Sequence, residues 1–269
     1  MRRLADLWHR HDRPQQPTYP TYEAALAACN GDGYEHGDLV NVICAKTYRY
    51  RDELSDVAIA TRLNPAYAYS LCGLLASIDA SRMIYVIDFG GACGAHYYLA
   101  RAMLPSPYKL RWIVVETLAM AQKAGAAATS DELSFSSDLR AAVDSLKRVD
   151  LLHTSGALQY VSDPHDCLRT LVSSGAKHML FNRLGLTKGP RDVIGVQESW
   201  LSQNGPGDLP RGFQDRQVRY PFTFMPESSF YEVLRENYDV VMTFDEPSAI
   251  FPVNDEPIIG RGLLVRLRR

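Results

Sequence analysis

Several familiar signatures are missing from this chain. No C-x-x-C pair and no Cys/His cluster occurs, and the five cysteines (Cys29, Cys44, Cys72, Cys93, Cys167) are scattered and odd in number. That spacing indicates neither a zinc site nor a disulfide framework, and free thiols fit a reducing cytosol. No apolar run approaches the ~20 residues of a membrane span. The charged N-terminus lacks an apolar secretory core, so a soluble, cytoplasmic protein is expected. Charge of one sign is also lacking: the formal net charge is -2 over 269 residues, so no global pull toward nucleic acid or membrane is expected. The basic ends, Met1–Arg3 and Arg266–Arg269, read as solvated termini. Repeats and low-complexity tracts are absent too. With 46% hydrophobic and 22% charged residues, the composition is that of a globular protein.

What is present divides at about residue 82. Residues 1–82 read as a mostly helical cap. It holds a short helical stretch, a Pro-rich segment (Pro14, Pro17, Pro20), a helix over Tyr22–Cys29 stopped at Asn30-Gly31, and a strand or buried turn at Val40–Ala45. A helical run over Arg51–Arg62 follows, with a stop and restart at Asn64-Pro65 and an apolar helix over Ala66–Ile78. From Met83 onward, short apolar runs alternate with helices. Strands are expected at Ile84–Phe89, Arg111–Val115, Leu133–Phe135, Leu151–Thr154 and His178–Phe181, with helices between them. Strands apolar on both faces argue for a parallel sheet covered by helices on both sides. A helix at Glu227–Asn237 and strands at Asp239–Phe244 and Leu263–Leu267 end the chain. The last two strands are joined only by a Pro-containing loop, which favours an antiparallel final pair. Residues 83–269 are thus expected to form a Rossmann-like α/β domain. Residues 188–222 read as a lid or insert loop carrying Trp200, Phe213 and Tyr220.

The segment Asp88-Phe89-Gly90-Gly91-Ala92-Cys93-Gly94 is the most informative. Glycines directly after a strand let backbone approach a ligand closely, and the next helix begins with unpaired N–H groups. Glu116 ends the following strand, where a carboxylate can accept hydrogen bonds from both ribose hydroxyls of an adenosine. A dinucleotide turn would read Gly-x-Gly-x-x-Gly. The Asp-x-Gly-Gly-Ala-x-Gly found here resembles the turn of class I methyltransferases, with Ala92 in the middle glycine position, and implies S-adenosyl-L-methionine as cofactor with S-adenosyl-L-homocysteine as product. Asp88 is then compatible with the cofactor's ammonium or with a bridging water.

The chain also resembles a small bacterial family of methyltransferase-like proteins often associated with surface-polysaccharide gene clusters. The matching pieces, in order across about residues 42–185, are Lys46-Thr47 with Tyr50-Arg51-Asp52, Asp88-Phe89-Gly90-Gly91, Val114-Val115-Glu116, Leu133-Ser134-Phe135, Ser155 with Leu158-Gln159-Tyr160, and Asp163-Pro164. After the fifth strand the family tends to an Arg-Thr-Pro-like turn, where this chain reads Asn182-Arg183-Leu184. The resemblance implies a mostly parallel sheet with an antiparallel last strand, and a methyltransferase acting on an O or N atom of a small molecule or sugar derivative.

Candidates for the chemistry follow from strand ends. His153 is a candidate base, or else a satisfied, partly buried histidine; Gln159 and Tyr160 are placed to face an acceptor, with packing as the other role for Tyr160. Gly90, Gly91, Ala92, Gly94 and His96 are expected at the cofactor's amino-acid end, Glu116 and Thr117 at the ribose, and Ser137 and Asp138 at the adenine, with Asp138 also able to cap the next helix. Thr154 and Ser155 close that set. Tyr48, Tyr50, Tyr97, Asn182, Arg183 and Tyr220 are the acceptor-side candidates, and Lys46, Tyr48 and Tyr50 of the cap are expected with the 188–222 segment to cover the acceptor. Dimer contact is the competing use of that surface, and a homodimer is compatible with it. No metal ligand set is visible in the sequence. Two rival readings are an NAD-dependent oxidoreductase, which would bring a Gly-x-Gly-x-x-Gly turn and a hydride-relay pair, and a non-catalytic binding or scaffold protein of the same fold, for which Ala92 is the one hint.

Overall fold

The computed structural model describes residues 17–29, 34, 37–54, 65–79, 81–105, 107–247 and 253–268. The Met1–Arg3 cluster, Pro14, Asn30-Gly31, the 55–62 part of the Arg51–Arg62 run, Asn64, Pro252 and Arg269 lie outside the described residues.

Among the described residues three helices come first: α1 (Tyr22–Ala28), α2 (Gly37–Glu53) and α3 (Pro65–Ala76). Val40–Ala45, expected as a strand or turn, lies within α2. Its apolar residues Leu39, Val40, Val42 and Ile43 are buried against Met120 and Val218, and that packing overrides the β-branched preference for extended backbone. The α/β portion follows as β1 (Met83–Phe89), α4 (Ala95–Met103), β2 (Lys109–Val115), α5 (Leu118–Ala128), β3 (Leu133–Ser136), α6 (Leu139–Asp144), β4 (Leu151–Ser155), a short turn of 3-10 helix (Leu158–Tyr160), α7 (Pro164–Ser173) and β5 (His178–Thr187). A hairpin, β6 (Val193–Trp200) and β7 (Gln217–Phe224), precedes α8 (Glu227–Arg235), β8 (Tyr238–Asp245) and β9 (Ile258–Leu267).

The main sheet has the order β3-β2-β1-β4-β5-β9-β8. β1 to β5 pair in parallel, and β9 runs antiparallel to both β5 and β8. This is a Rossmann-like α/β sheet with an antiparallel last strand, as the alternation of strands and helices predicted. Side chains alternate across a strand, so β1 sends Ile84 and Val86 to one face and Ile87 to the other. Helix α3 packs Leu74 into the first of these faces, which makes it part of the sheet's covering layer.

The helix starts are set by local chemistry. Asp138 accepts from the Ala141 N–H at 2.9 Å, and Asp163 accepts from the Asp166 N–H at 2.9 Å, with Pro164 beginning α7. Two expectations are corrected. The fifth strand does not stop at Phe181 but continues to Thr187, through a register shift against β9 between Phe181 and Leu184. Residues 188–222 are not an unstructured loop, because β6 and β7 pair over eight positions from Val193–Phe224 to Trp200–Gln217. Val218, Tyr220, Phe222 and Phe224 alternate along one face of β7 and are buried, and toward the strand's end Pro221 and Thr223 on the other face are buried as well.

Candidate functional site

Chain order reverses between β1 and β4: from β1 the sheet builds outward through β2 and β3 on one side and through β4 and β5 on the other. Open α/β sheets bind ligands at the C-terminal ends of strands at such a point. A cavity of about 740 Å³ lies there. Its walls come from the turn after β1, the ends of β2 and β4, Arg183 at the register shift of β5, helix α2, and the hairpin loop after β6 at Gln203–Gly207.

Of the residues expected at a cofactor, Gly90, Gly91, Ala92, His96, Glu116, Thr117, Ser137 and Ser155 line this cavity. Gly90, Ala92 and Gly94 all hold positive φ, at 71, 51 and 87°. A Cβ at Gly90 would stand 2.1 Å from the Ala157 Cβ, so the turn after β1 lies directly against the turn after β4. The Glu116 carboxylate accepts from the Ala92 N–H at 3.0 Å and the Thr117 N–H at 2.9 Å, which fixes its orientation. A carboxylate has about four lone-pair sites, and these two N–H groups occupy two of them. Gly94 serves as the left-handed cap of α4, Asp138 caps α6, and Thr154 is buried in β4; none of the three lines the cavity.

Asp88 does not reach the cavity. It is fully buried, accepting from Trp112 Nε1 at 3.2 Å, with its other oxygen 2.8 Å from His153 Nδ1. His153 Nε2 is 2.8 Å from Ser70 Oγ of α3. Both ring nitrogens of His153 are thereby engaged and the ring is 1% exposed, which corrects its reading as a base for an acceptor and corrects Asp88 as a direct ligand of a cofactor ammonium. Ser70, His153 and Asp88 instead form a buried relay beneath the glycine turn. Burial pushes the Asp88 carboxyl up, but the neighbouring His153, its hydrogen bond, His96 and Trp112 outweigh that and hold it below the usual carboxylate range. His96 lies edge-on to His153, ring centroids 4.5 Å apart. Asp88, His96 and His153 each bring a ligand-capable atom within 4.8 Å of one another, the one grouping of that kind among the described residues. The carboxylate of that group is already committed to His153 and Trp112.

His96 faces the cavity, and burial lowers its pKa to about 3, with the nearby His153 and Arg183 acting the same way against Asp88. The folded protein therefore keeps His96 neutral while the unfolded chain takes up a proton below its ordinary value near 6.5. Between about pH 6.5 and pH 4, stability is expected to fall with falling pH by up to about 1.4 kcal/mol per unit from this group. His96→Gln should flatten that slope in urea titrations, and identical slopes for variant and parent would remove His96 as its source.

On the acceptor side, Tyr50, Tyr160 and Arg183 line the cavity. Tyr160 donates to Gln197 Oε1 at 2.6 Å, and burial raises its phenol well above the ordinary value. Gln159 lies behind the wall, its Nε2 donating to the Arg183 carbonyl at 3.1 Å. Tyr220 packs edge-on to Tyr160 with its hydroxyl 3.1 Å from Ser199 Oγ, and Asn182 accepts from the Arg183 N–H, so neither lines the cavity. Tyr97 is corrected outright: it points to the covered face of the sheet, against Trp112, with its hydroxyl on Glu132. Tyr48 is held beside Arg51. Lys46 is buried, donating to the Ser202 carbonyl at 2.7 Å, and thus ties α2 to the hairpin loop.

Sequence reasoning missed Tyr34, Thr47 and Glu53 as wall residues. Tyr34 stacks on Tyr160, centroids 6.4 Å apart, and meets Tyr220 edge-on. Thr47 is fully buried, and its hydroxyl has no hydrogen-bond partner among the described residues. The quoted pair Lys46-Thr47 was the only signal that could have marked it. The cysteine reading is corrected as well. Cys44 of α2 and Cys93 of the glycine turn are joined by a disulfide, their Cα atoms 5.3 Å apart, while Cys29, Cys72 and Cys167 are free. Helix α2 lies over the turn, bringing together two thiols that 49 residues of sequence separate.

No protein-family model and no curated protein sequence matches the chain. It is similar to solved structures at low identity. One is an S-adenosylmethionine-dependent methyltransferase from Clostridium acetobutylicum, 10% identical over 82% of this chain and 99% of that one, with a TM-score of 0.44. Another is an S-adenosylmethionine-dependent methyltransferase from Mesorhizobium loti, 14% identical over 74% of this chain and 97% of that one, with a TM-score of 0.42. A third is the N-terminal domain of EvdMO1 in the presence of SAH and D-fucose, 14% identical over 77% of this chain and 84% of that one, with a TM-score of 0.43. No helix among the described residues is long and apolar enough to cross a membrane.

Proposed function

We propose that the protein is an S-adenosylmethionine-dependent methyltransferase that acts on an O or N atom of a small molecule or sugar derivative. The observation that carries this reading is Glu116: a carboxylate at the end of β2, oriented by two backbone N–H groups, on the wall of a cavity at the reversal point of the sheet. A pair of vicinal ribose hydroxyls suits such an acceptor. The backbone of Gly90–Ala92 and the start of α4 would border the amino-acid end, and Ser137 the adenine. The buried Thr47 hydroxyl, without a hydrogen-bond partner among the described residues, fits a cavity built to take a polar ligand. The cofactor supplies a methyl group made electrophilic by a sulfonium.

The protein's own part is to hold an acceptor in line and keep water out. Tyr34 and Tyr160 hold their protons because burial raises both phenols, and His96 is a weak base. These three side chains are therefore poorly suited to take the proton of a hydroxyl or N–H acceptor, and their part is to shape and position.

Calorimetric titration with S-adenosylhomocysteine and, separately, with NAD tests the reading. Binding of S-adenosylhomocysteine alone is expected, weakened about tenfold to hundredfold by Glu116→Ala, the range of a charge-assisted hydrogen-bond pair. Binding of NAD without S-adenosylhomocysteine would overturn it.

A further inference from the structure

The register shift in β5 has a specific product. Asn182 and Arg183 fall between the paired positions Phe181 and Leu184, and Arg183 holds φ at 51°. A left-handed backbone at an arginine costs about 1 kcal/mol or more, and bulges beside active sites re-aim a side chain. Here the bulge sends the guanidinium onto the cavity wall. It is then fixed there: Nε donates to Ser155 Oγ at 3.0 Å and Nη2 to the Ser155 carbonyl at 2.9 Å. Gly156 leaves room for this pose, since a Cβ there would lie 3.3 Å from three guanidinium atoms.

Both acceptors that fix Arg183 are neutral, and no carboxylate among the described residues forms an ion pair with it. Its charge acts on Tyr34, Tyr160 and His96, all on the same wall. The Glu116 carboxylate, which could have answered it, is turned to the Ala92 and Thr117 N–H groups instead. The result is a pre-oriented, solvent-exposed cation on the cavity wall, held by two neutral acceptors beside the phenols of Tyr34 and Tyr160.

We infer that Arg183 is an anion hook and that the acceptor carries a carboxylate or a phosphate group; this rests on the methyltransferase reading above. Arginine presents a planar fork of donors that matches either oxyanion. The aromatic surface of Tyr34 and Tyr160 beside it suits the apolar face of a sugar or another ring.

The test uses the 269-residue chain saturated with S-adenosylhomocysteine, titrated with galacturonate, inorganic phosphate and galactose. Galacturonate or phosphate is expected to bind, and galactose not to bind over the same range; whichever anion binds tighter identifies the source of the charge. Arg183→Met should weaken that anion at least about tenfold, Arg183→Lys less, with the affinity for S-adenosylhomocysteine unchanged in both. Equal behaviour of charged and neutral sugars, including no binding by either, would overturn the anion hook while leaving the methyltransferase reading standing. A loss of S-adenosylhomocysteine affinity in Arg183→Met would overturn it too, by assigning the guanidinium to the cofactor's own carboxylate. Failure of the parent protein to bind S-adenosylhomocysteine would instead remove the reading on which the inference rests.

Discussion

Asp88→Ala is expected to lower the free energy of unfolding by about 2–5 kcal/mol, the cost of leaving two buried ring N–H groups without their acceptor. The side chain is fully buried and serves two ring N–H groups, on His153 from β4 and on Trp112 from β2. Alanine would leave both without their acceptor in a place water does not reach, and His153 would keep only Ser70. The site should suffer with the core. A Cβ at Gly91 would lie 2.4 Å from the Asp88 carboxylate, so this side chain is the floor on which the glycine turn rests. Binding of S-adenosylhomocysteine should weaken even under conditions where the variant is folded. Asp88→Asn keeps an acceptor and the volume and should lose less. Urea titrations read both, and a loss below about 1 kcal/mol for alanine would mean that the Ser70–His153–Asp88 chain contributes little.

Gly90→Ala should be nearly as damaging, for two separable reasons. The backbone at φ 71° is costly for any residue with a Cβ, and the added methyl would stand 2.1 Å from the Ala157 Cβ. A left-handed residue costs about 1–2 kcal/mol and overpacking about 1–3 kcal/mol, so a total of about 2–5 kcal/mol is expected. Pushing the two turns apart would also move the backbone of Gly90–Ala92 away from Glu116. The affinity for S-adenosylhomocysteine should therefore fall by about tenfold or more. The double variant Gly90→Ala with Ala157→Gly removes the steric part and leaves the backbone part. It should recover some of the stability but not all. Full recovery would show the left-handed backbone to be unimportant, and no recovery would show that the turns are not in contact.

The parts of this fold that were legible in the sequence are those governed by short-range pattern. Apolar runs such as Ile84–Phe89 and Arg111–Val115 are bounded by turn residues, and both became strands at the expected places. Glu116 and the glycine turn could be placed relative to each other because consecutive parallel strands end side by side. What escaped was decided by packing between distant segments. His153 ends a strand as a catalytic base would, but its engagement depends on Ser70 of α3, 83 residues earlier, and on Asp88. Tyr97 sits one residue after His96, yet successive helix positions are about 100° apart, so one faces the cavity while the other faces the sheet. The β6–β7 hairpin was hidden because Trp200 and Gln217 are separated by a long tip, and Pro221 within β7 reads as a strand breaker. Arg183 was named as an acceptor-side residue from its place after a strand end. The bulge that aims it depends on the register of β9, about eighty residues further on, and no local signal carries that.

The disulfide has a topological consequence. Cys44 and Cys93 close a covalent ring, with a sequence separation of 49, that contains α3 and β1, and therefore both Ser70 and Asp88. Such a ring removes chain entropy from the unfolded ensemble worth about 4 kcal/mol in the loop-closure account. It also stitches one wall of the cavity to its floor, since α2 carries Ile43 and Thr47 and the turn carries Gly90–Ala92. With those two edges sewn together, the cavity has a hinge side and a free side. On the free side, the hairpin tip around Gln203–Gly207 is held to α2 by non-covalent ties, Lys46 to the Ser202 carbonyl and Arg49 to the Asp208 carbonyl, and the rate of ligand exchange should follow how fast those ties open.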